Sequence, residues 1–209
     1  MVYGFLDIAA TPAVKDAQAA NGSLNYWEGF RGDRAFDRFT EAEAGFIARR
    51  DSFYMATVSE TGWPYMQHRG GPAGFLRVLD ERTLGFADYR GNRQYVSLGN
   101  VAGDDRASLF LMDYPNRSRL KIFAHVEVRD VAGALELADA IAVPGYEAKI
   151  ERAMLFHLET FDWNCPQHIT PRFTETEIAA ALVPLHERVS ALESENAELR
   201  ARLAGSGST

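Results

Sequence analysis

The feature that most constrains this sequence is a stretch from Leu120 to Val128 whose residues alternate in character. Every second residue is aliphatic and the residues between are mostly polar; the aliphatic set is Leu120, Ile122, Ala124, Val126 and Val128. Successive side chains of a β-strand point to opposite faces, so this period of two indicates a strand with one face in a hydrophobic core. The chain is therefore expected to fold around a β-sheet.

Further segments are rich in β-forming residues and are bounded by turn residues. They are Phe53–Val58, Trp63–Arg69, Phe75–Leu79, Thr83–Ala87, Ala107–Met112 and Ala153–Trp163. Two segments between them, Asn92–Val101 and Ala132–Ala142, have helical spacing. Short strands interrupted by two helices favour an antiparallel barrel over alternating β-α-β units. We predict a mainly β fold with six antiparallel strands and short helices.

The chain on the N-terminal side of these strands has no sustained periodicity. Residues 1–40 are predicted to form an irregular arm with one short helix near Thr11–Ala20. Thr40 and Glu43 have the spacing of a capping box, which predicts a helix that starts there and ends near Arg50. The main domain is predicted to span residues 41–173.

The C-terminal segment, residues 174–204, has apolar residues at heptad spacing after a second capping box, Thr174 and Glu177. Positions a are Leu182, Val189, Asn196 and Leu203, and positions d are Leu185, Leu192 and Leu199. A single Asn at an a position is typical of two-stranded parallel coiled coils, and we predict such a coil. The alternative is an amphipathic helix packed on the main domain. Pro184 is expected to kink or restart the helix, and residues 205–209 are expected to be a flexible tail.

Charge and cysteine content narrow the function classes. Lys and Arg number 22 against 29 Asp and Glu, a net charge of −7, which argues against a partner that is a nucleic acid. The single cysteine excludes a disulfide within the chain and a four-cysteine metal cage. No apolar run has the length of a membrane span and no basic segment opens the chain, so we expect a cytoplasmic protein that has no membrane partner.

Two segments carry residues suited to a phosphate-bearing planar ligand. In His68–Pro72 a histidine and an arginine precede two glycines that permit close approach of a ligand. In Asp88–Gln94 a predicted strand ends and a helix begins, so backbone N–H groups, the helix dipole and Arg93 could converge on a phosphate. The alternative is a solvated arginine-rich turn.

Several motifs together resemble one known family. They are Phe53–Val58, Gly62-Trp63-Pro64, Gln67–Gly71, Phe86–Gln94, Ser108–Asp113 and Asn164–Ile169. Over residues 40–173 the chain resembles the pyridoxamine 5′-phosphate oxidase-related flavin-binding split-barrel proteins. The resemblance implies a Greek-key split barrel that forms a homodimer, with one FMN at each end of the interface and both chains contributing to each site.

The resemblance also implies roles for individual residues of this chain. Arg69, Arg93 and Gln94 would hold the FMN phosphate, with Asn92 beside them. His68 and Gly70 would line the isoalloxazine side, and Asp88 and Tyr89 would close the neighbouring strand end. The residues expected to reach the flavin from the partner chain are Arg119, Gln167 and His168.

The segment Trp163–His168 lacks the arginine- and histidine-bearing motif with which true pyridoxamine phosphate oxidases grip their substrate, so vitamin B6 oxidation is not expected. The resemblance predicts an FMN-dependent oxidoreductase acting on an undefined small molecule, with His68 or His168 as a proton donor. Three alternatives stay open: a non-catalytic flavin-binding or storage module, an F420-dependent reductase of the same fold, and a scaffold. His157, Cys165 and His168 are too few for a metal site, and none is predicted.

Overall fold

The structure is a computed structural model that describes residues 4–29, 36–163 and 165–206. It divides into two compact units, one of residues Met1–Asp113 and Arg117–His168, the other of Tyr114–Asn116 and Ile169–Thr209. Parts of the predicted arm, residues 1–3 and 30–35, lie outside the described residues. Asn164 of the resemblance motif and residues 207–209 of the predicted tail do so too.

Seven strands form one antiparallel sheet in the first unit. They are β1 Ser52–Val58, β2 Pro64–Gly70, β3 Arg77–Asp80, β4 Thr83–Tyr89, β5 Arg106–Asp113, β6 Ser118–Arg129 and β7 Ile150–Trp163, in the order β2-β1-β5-β6-β7-β4-β3. The mainly β class with antiparallel strands is confirmed. The predicted number of six strands is wrong, because every strand-like segment of the sequence forms a strand, including the four-residue edge strand β3.

The sheet is curled but not closed. Its edges are β2 and β3, and no backbone ladder joins them within the described ranges. The curl nevertheless brings distant strands together, since the ring of Phe53 on β1 lies 5.5 Å from that of Phe86 on β4 and 6.1 Å from that of Phe156 on β7. These rings are buried in the main hydrophobic core, which the alternating residues of β6 also enter. The inner face of the curled sheet is therefore packed.

The described helices are α1 Phe5–Ala9, α2 Pro12–Ala20, α3 Leu24–Glu28, α4 Glu41–Ile47, α5 Val96–Gly103, α6 Leu135–Ile141 and α7 Glu175–Ser206. Three short helices thus stand where one was predicted in the N-terminal arm. In α1, Phe5 stacks on Phe123 of β6, on the outer face of the sheet, with ring centroids 4.4 Å apart. Helix α6 also packs on the outer face of the sheet, where Ile141 contacts Ala87 of β4 and Ala153 of β7 on the side away from the main core.

The capping box at the start of α4 is confirmed, and it also joins the helix to β7. One oxygen of Glu43 accepts a hydrogen bond from the backbone N–H of Thr40 at 2.9 Å, and the other accepts one from Trp163 Nε1 at 2.8 Å. Burial raises the pKa of Glu43, but hydrogen bonds from the Thr40 hydroxyl, from Trp163 and from backbone N–H groups together outweigh burial and hold the pKa below its ordinary value. The carboxylate is thus required in its charged form.

The second unit consists mainly of α7, which begins after the predicted capping box. The backbone N–H of Thr174 donates to Glu177 at 2.8 Å, and the N–H of Glu177 donates back to Thr174 Oγ1 at 3.2 Å. The helix continues through Pro184 to Ser206, so it does not restart at the proline. At 1.5 Å per residue its 32 residues extend about 48 Å.

Candidate functional site

The curl of the sheet creates a junction between β2 and β4, which we call the seam. Arg69 of β2 donates from Nη1 to Asp88 Oδ1 at 2.7 Å, although four other strands separate β2 and β4 in the sheet. Arg152 of β7 donates from Nη1 to Asp88 Oδ2, also at 2.7 Å. The Asp88 side chain is 7% exposed, so a buried carboxylate fixes two guanidinium groups side by side.

Strand geometry explains why these three residues meet. Along β2 the side chains alternate, so that Gln67 and Arg69 are partly buried while His68 and Gly70 lie on the exposed side. Asp88 and Arg152 are directly opposed in the β4–β7 ladder, one step before a register shift at Tyr89. Directly opposed residues share one face of a sheet, which places both charges on the side that Arg69 enters.

A polar cavity of about 170 Å³ lies at the seam, and the two arginines form part of its wall. Tyr89 also lines it; burial raises the pKa of this phenol, as does Tyr146, whose ring centroid lies 5.0 Å from that of Tyr89. Tyr89 therefore stays protonated at neutral pH and can donate a hydrogen bond into the cavity.

The loop that leaves β4 forms another wall of the cavity. Asn92 Oδ1 accepts the backbone N–H of Gln94 at 3.0 Å, and Arg93 and Tyr95 take left-handed conformations, with φ of 62° and 54°. Such conformations cost about 1–3 kcal/mol each and concentrate where a loop must hold one shape. Helix α5 follows directly, and its first-turn residues Ser97 and Leu98 face the cavity. Free N–H groups and positive dipole charge characterise this end of a helix.

Glu151 is the second carboxylate of the site, after Asp88. It accepts hydrogen bonds from Arg152 Nη2 and from the Tyr95 hydroxyl, each at 3.1 Å, and Arg90 Nε lies 3.7 Å away. The Arg152 guanidinium also lies 5.0 Å from the centroid of the Tyr95 ring. Burial lowers the pKa of Arg152, but the charges of Asp88 and Glu151 and the hydrogen bonds of the guanidinium together outweigh burial and raise it, so this arginine stays charged.

The charges of the site do not cancel. Among the residues that line the cavity, three arginines, Arg69, Arg93 and Arg152, face two carboxylates, Asp88 and Glu151, which leaves one positive charge in excess. Arg69 Nε is buried without a hydrogen-bond partner among the described residues. Arg93 is exposed and forms no hydrogen bond or ion pair within the same ranges. Unused guanidinium donors with this excess of positive charge fit an anionic group such as a phosphate monoester.

The structure brings together five of the predicted site residues and separates the others from them. The cavity is lined by Arg69, Asp88, Tyr89, Asn92 and Arg93. Gln94 contributes its backbone to the same loop. His68 lies on the outer face of the sheet, where its ring centroid is 5.6 Å from that of Tyr54, and Gly70 lies beside it.

The three residues expected to act from a partner chain are all away from the cavity. Arg119 lies on β6, on the face opposite the buried Leu120, and its Nε is buried without a partner among the described residues. Gln167 and His168 are exposed in the segment after β7, with His168 at φ 61°. Within the chain, then, neither predicted proton donor, His68 or His168, reaches the site.

Several residues of the cavity were missed by sequence reasoning. The missed residues are Gln67, Gly91, Tyr95, Ser97, Leu98, Glu151 and Arg152. Gln67, whose amide oxygen accepts a hydrogen bond from the Ser97 hydroxyl at 2.9 Å, was part of a quoted motif. Arg152 directly precedes the predicted strand Ala153–Trp163, and only the pairing of β7 with β4 reveals its role.

Across residues 4–29, 36–163 and 165–206, no three His, Cys, Asp or Glu side chains cluster in a way that could hold a metal ion. No helix in these ranges combines the length and apolar character needed to cross a membrane.

The sequence model of the pyridoxamine 5′-phosphate oxidase family matches residues 39–155, more than half of the chain. This chain belongs to that family. The matched region contains all residues that line the cavity and ends before the segment of Gln167 and His168. Among curated proteins no match to this member of the family was found.

The solved structures that match this family member share little of its sequence. An FMN-binding protein from Syntrophomonas wolfei is 14% identical, with 70% of this chain and 97% of that chain covered and a TM-score of 0.45. HupZ from Group A Streptococcus is 13% identical, with 65% and 99% covered and a TM-score of 0.47. A Clostridium acetobutylicum protein related to general stress protein 26 is 14% identical, with 66% and 94% covered and a TM-score of 0.42. At such identities neither cofactor nor activity transfers to this chain.

Proposed function

We propose that this chain is an FMN-dependent oxidoreductase that acts on a small molecule as a homodimer, with the FMN phosphate bound at the seam. The observation that carries the proposal is a polar cavity, inside the region matched by the family, whose three arginines outnumber its two carboxylates and include unused guanidinium donors. A phosphate monoester carries up to two negative charges near neutral pH, and arginine forks match its oxygens. The curled sheet would then be the Greek-key split barrel of the flavin-binding proteins.

The size of the cavity supports a division of the ligand between two places. About 170 Å³ is less than the 300–1,000 Å³ that is usual for pockets that enclose a whole cofactor-sized molecule. We therefore assign the phosphate to the cavity, with Arg69, Arg93 and Arg152 as its charged donors and Asn92 and Gln94 in the loop beside them. The isoalloxazine ring would lie outside the cavity, at a surface that a partner chain completes.

The part of the outer face of β1, β2, β5 and β6 that α1 leaves uncovered is the surface we assign to that partner. It presents apolar side chains to solvent, among them Met66, 67% exposed, and Val58, 41% exposed. His68, Gly70 and Arg119, which do not line the cavity, belong to the same face. A second chain docked there would cover them, and this supports their predicted position beside a shared flavin.

Bound FMN would supply hydride or electron transfer, while the protein supplies position, phosphate binding and the electrostatic field. Arg93 and Arg152 would fix the phosphate end, and the left-handed loop would keep Arg93 in place. A ring nitrogen of His68 or of His168 would hold the proton that is delivered to the reduced substrate.

The visible absorption spectrum of the purified protein with added FMN tests the cofactor. Flavin bands at about one FMN per chain, lost in Arg93→Ala and kept in Arg129→Ala, support the proposal. Arg129 is the matched control because it is an exposed arginine that pairs with Glu127, outside the cavity. A protein that binds F420 but not FMN would overturn the FMN assignment.

Turnover separates an enzyme from a storage module. Anaerobic mixing of the FMN-loaded protein with NADH, NADPH or small organic donors should bleach the flavin bands, and an added acceptor should restore them. A flavin that is bound but never reduced would favour the storage module. An unchanged pH–rate profile in both His68→Ala and His168→Ala would remove the proton-donor assignment.

A further inference from the structure

We propose that α7 is the docking surface for the α7 of a second copy of this chain, as a parallel, in-register, two-stranded coiled coil. The proposal does not depend on flavin binding, since α7 lies beyond residues 39–155 that the family matches.

An apolar stripe on α7 is exposed along its whole length. Every residue from 174 to 205 is exposed, including the large a and d residues, which are 38% to 73% exposed. They are Leu182, Leu185, Val189, Leu192, Leu199 and Leu203. Ile178, 49% exposed, extends the stripe by one d position toward the N-terminus. A heptad stripe of this length is the surface through which the helices of a coiled coil pack.

Charge complementarity selects an identical, parallel partner. Arg188 and Glu195 fall at g, and Glu193 and Arg200 fall at the following e positions. In a parallel pair each g residue faces the next e residue of the partner, so Arg188 meets Glu193 and Glu195 meets Arg200, twice each by symmetry. Both kinds of pair are oppositely charged.

Two further residues of α7 are consistent with a two-stranded coiled coil. Asn196 occupies an a position, where a single Asn favours two strands and fixes their register, because each Asn finds a hydrogen-bond partner only in its counterpart. Pro184 falls at c, on the side away from the stripe, and the helix continues through it. The proline therefore leaves the docking face intact.

Disulfide formation in the full-length chain tests the arrangement directly. Cys165, which is exposed, is first replaced by Ser. In that background Val189→Cys places a thiol at a, and Ser194→Cys places one at f as the matched control. An in-register parallel pair brings the two thiols introduced at a near bonding distance and keeps the two introduced at f apart. We expect covalent dimers from Val189→Cys and at least tenfold less from Ser194→Cys under mild oxidation.

Reversing the charges at the g and e positions of the Val189→Cys protein tests whether the two α7 helices run parallel. Glu193→Arg should reduce the dimer yield about three- to tenfold, since it places arginines opposite Arg188, and adding Arg188→Glu should restore the yield. No cross-link from Val189→Cys, equal cross-linking from Ser194→Cys, or no rescue by the second charge change would each overturn the proposal. Retention of FMN bands in a protein that fails these tests would leave the flavin proposal standing.

Discussion

Replacement of Arg93 by Gln separates phosphate binding from stability. Arg93 lines the cavity, is exposed, and has no ion pair with any of the described residues. Gln keeps much of the side-chain length, and both residues bear the same cost of the left-handed conformation. The substitution thus removes one charge that faces the ligand and leaves the folded chain otherwise unchanged.

The expected magnitude follows from the loss of one charge-assisted hydrogen bond. Such a bond contributes about 1.5–3 kcal/mol, and each 1.4 kcal/mol is a factor of ten in affinity. We expect the Kd for FMN to rise about 10- to 150-fold. The free energy of unfolding without ligand should change by less than about 0.5 kcal/mol, as for surface substitutions that break no contact.

Quenching of flavin fluorescence measures the Kd for FMN and the Kd for riboflavin, and the comparison of the two tests the assignment. FMN is titrated into wild type, Arg93→Gln and the control Arg129→Gln, and riboflavin, which lacks the phosphate, is titrated into the same three proteins. The FMN Kd should rise only in Arg93→Gln. The riboflavin Kd should be equal in all three, because Arg93 is assigned to the phosphate alone.

Two results would refute the assignment. If Arg93→Gln lowers the affinity for riboflavin as much as the affinity for FMN, the arginine contacts the isoalloxazine ring or determines the shape of the loop. If FMN binds the variant with wild-type affinity, the excess charge of the cavity serves another ligand.

Three further substitutions, one at the cavity and two elsewhere, test contacts of the first unit. Arg152→Met leaves the buried Asp88 with one of its two guanidinium partners, and we expect a loss of about 2–4 kcal/mol in urea unfolding; an unchanged midpoint would contradict the role of this pair. Glu43→Gln should cost about 1–3 kcal/mol at pH 7. Burial raises the folded pKa of Glu43, but the hydrogen bonds lower it more strongly. The stability advantage of the wild type is therefore present above the ordinary pKa of 4.5 and is lost as the pH falls through the folded pKa. A difference in unfolding free energy that stays constant from pH 7 to pH 3 would argue against this. Gly85→Ala adds a methyl group 2.8 Å from a carbon of the partly buried Leu79 and 3.0 Å from a carbon of the buried Leu155, and it should cost about 1–3 kcal/mol. Gly91→Ala, with open space around it, should cost less than about 0.5 kcal/mol; equal melting temperatures would exclude the predicted crowding.

Sequence patterns correctly predicted the elements that depend on interactions between residues close together in the chain. The capping boxes at Thr40 and Thr174 depend on residues three apart, and both form as expected. The alternation from Leu120 to Val128 gave the correct buried face of β6. In the N-terminal arm, by contrast, three helices of five to nine residues stand where one was predicted, because such short helices carry little periodic signal.

The composition of the cavity depends on contacts that periodicity does not encode. Arg152 meets Asp88 across 64 residues, through the register of β7 against β4. The placement of His68, however, could have been questioned from the sequence. Adjacent residues of a strand point to opposite faces, so His68 and Arg69 cannot line the same wall of one chain. A role for both residues requires a second surface.

The seam has a consequence for the kinetics of ligand exchange. Arg69 and Asp88 link β2 to β4 through side chains, and no backbone ladder joins the two edges of the sheet in the described ranges. The seam can therefore part by breaking ion pairs while every strand keeps its hydrogen-bonded neighbours. Openings of this kind need much less free energy than global unfolding. A phosphate bound by residues on both sides would hold the seam closed. The rate at which the ligand dissociates would then be set by the rate at which the seam opens.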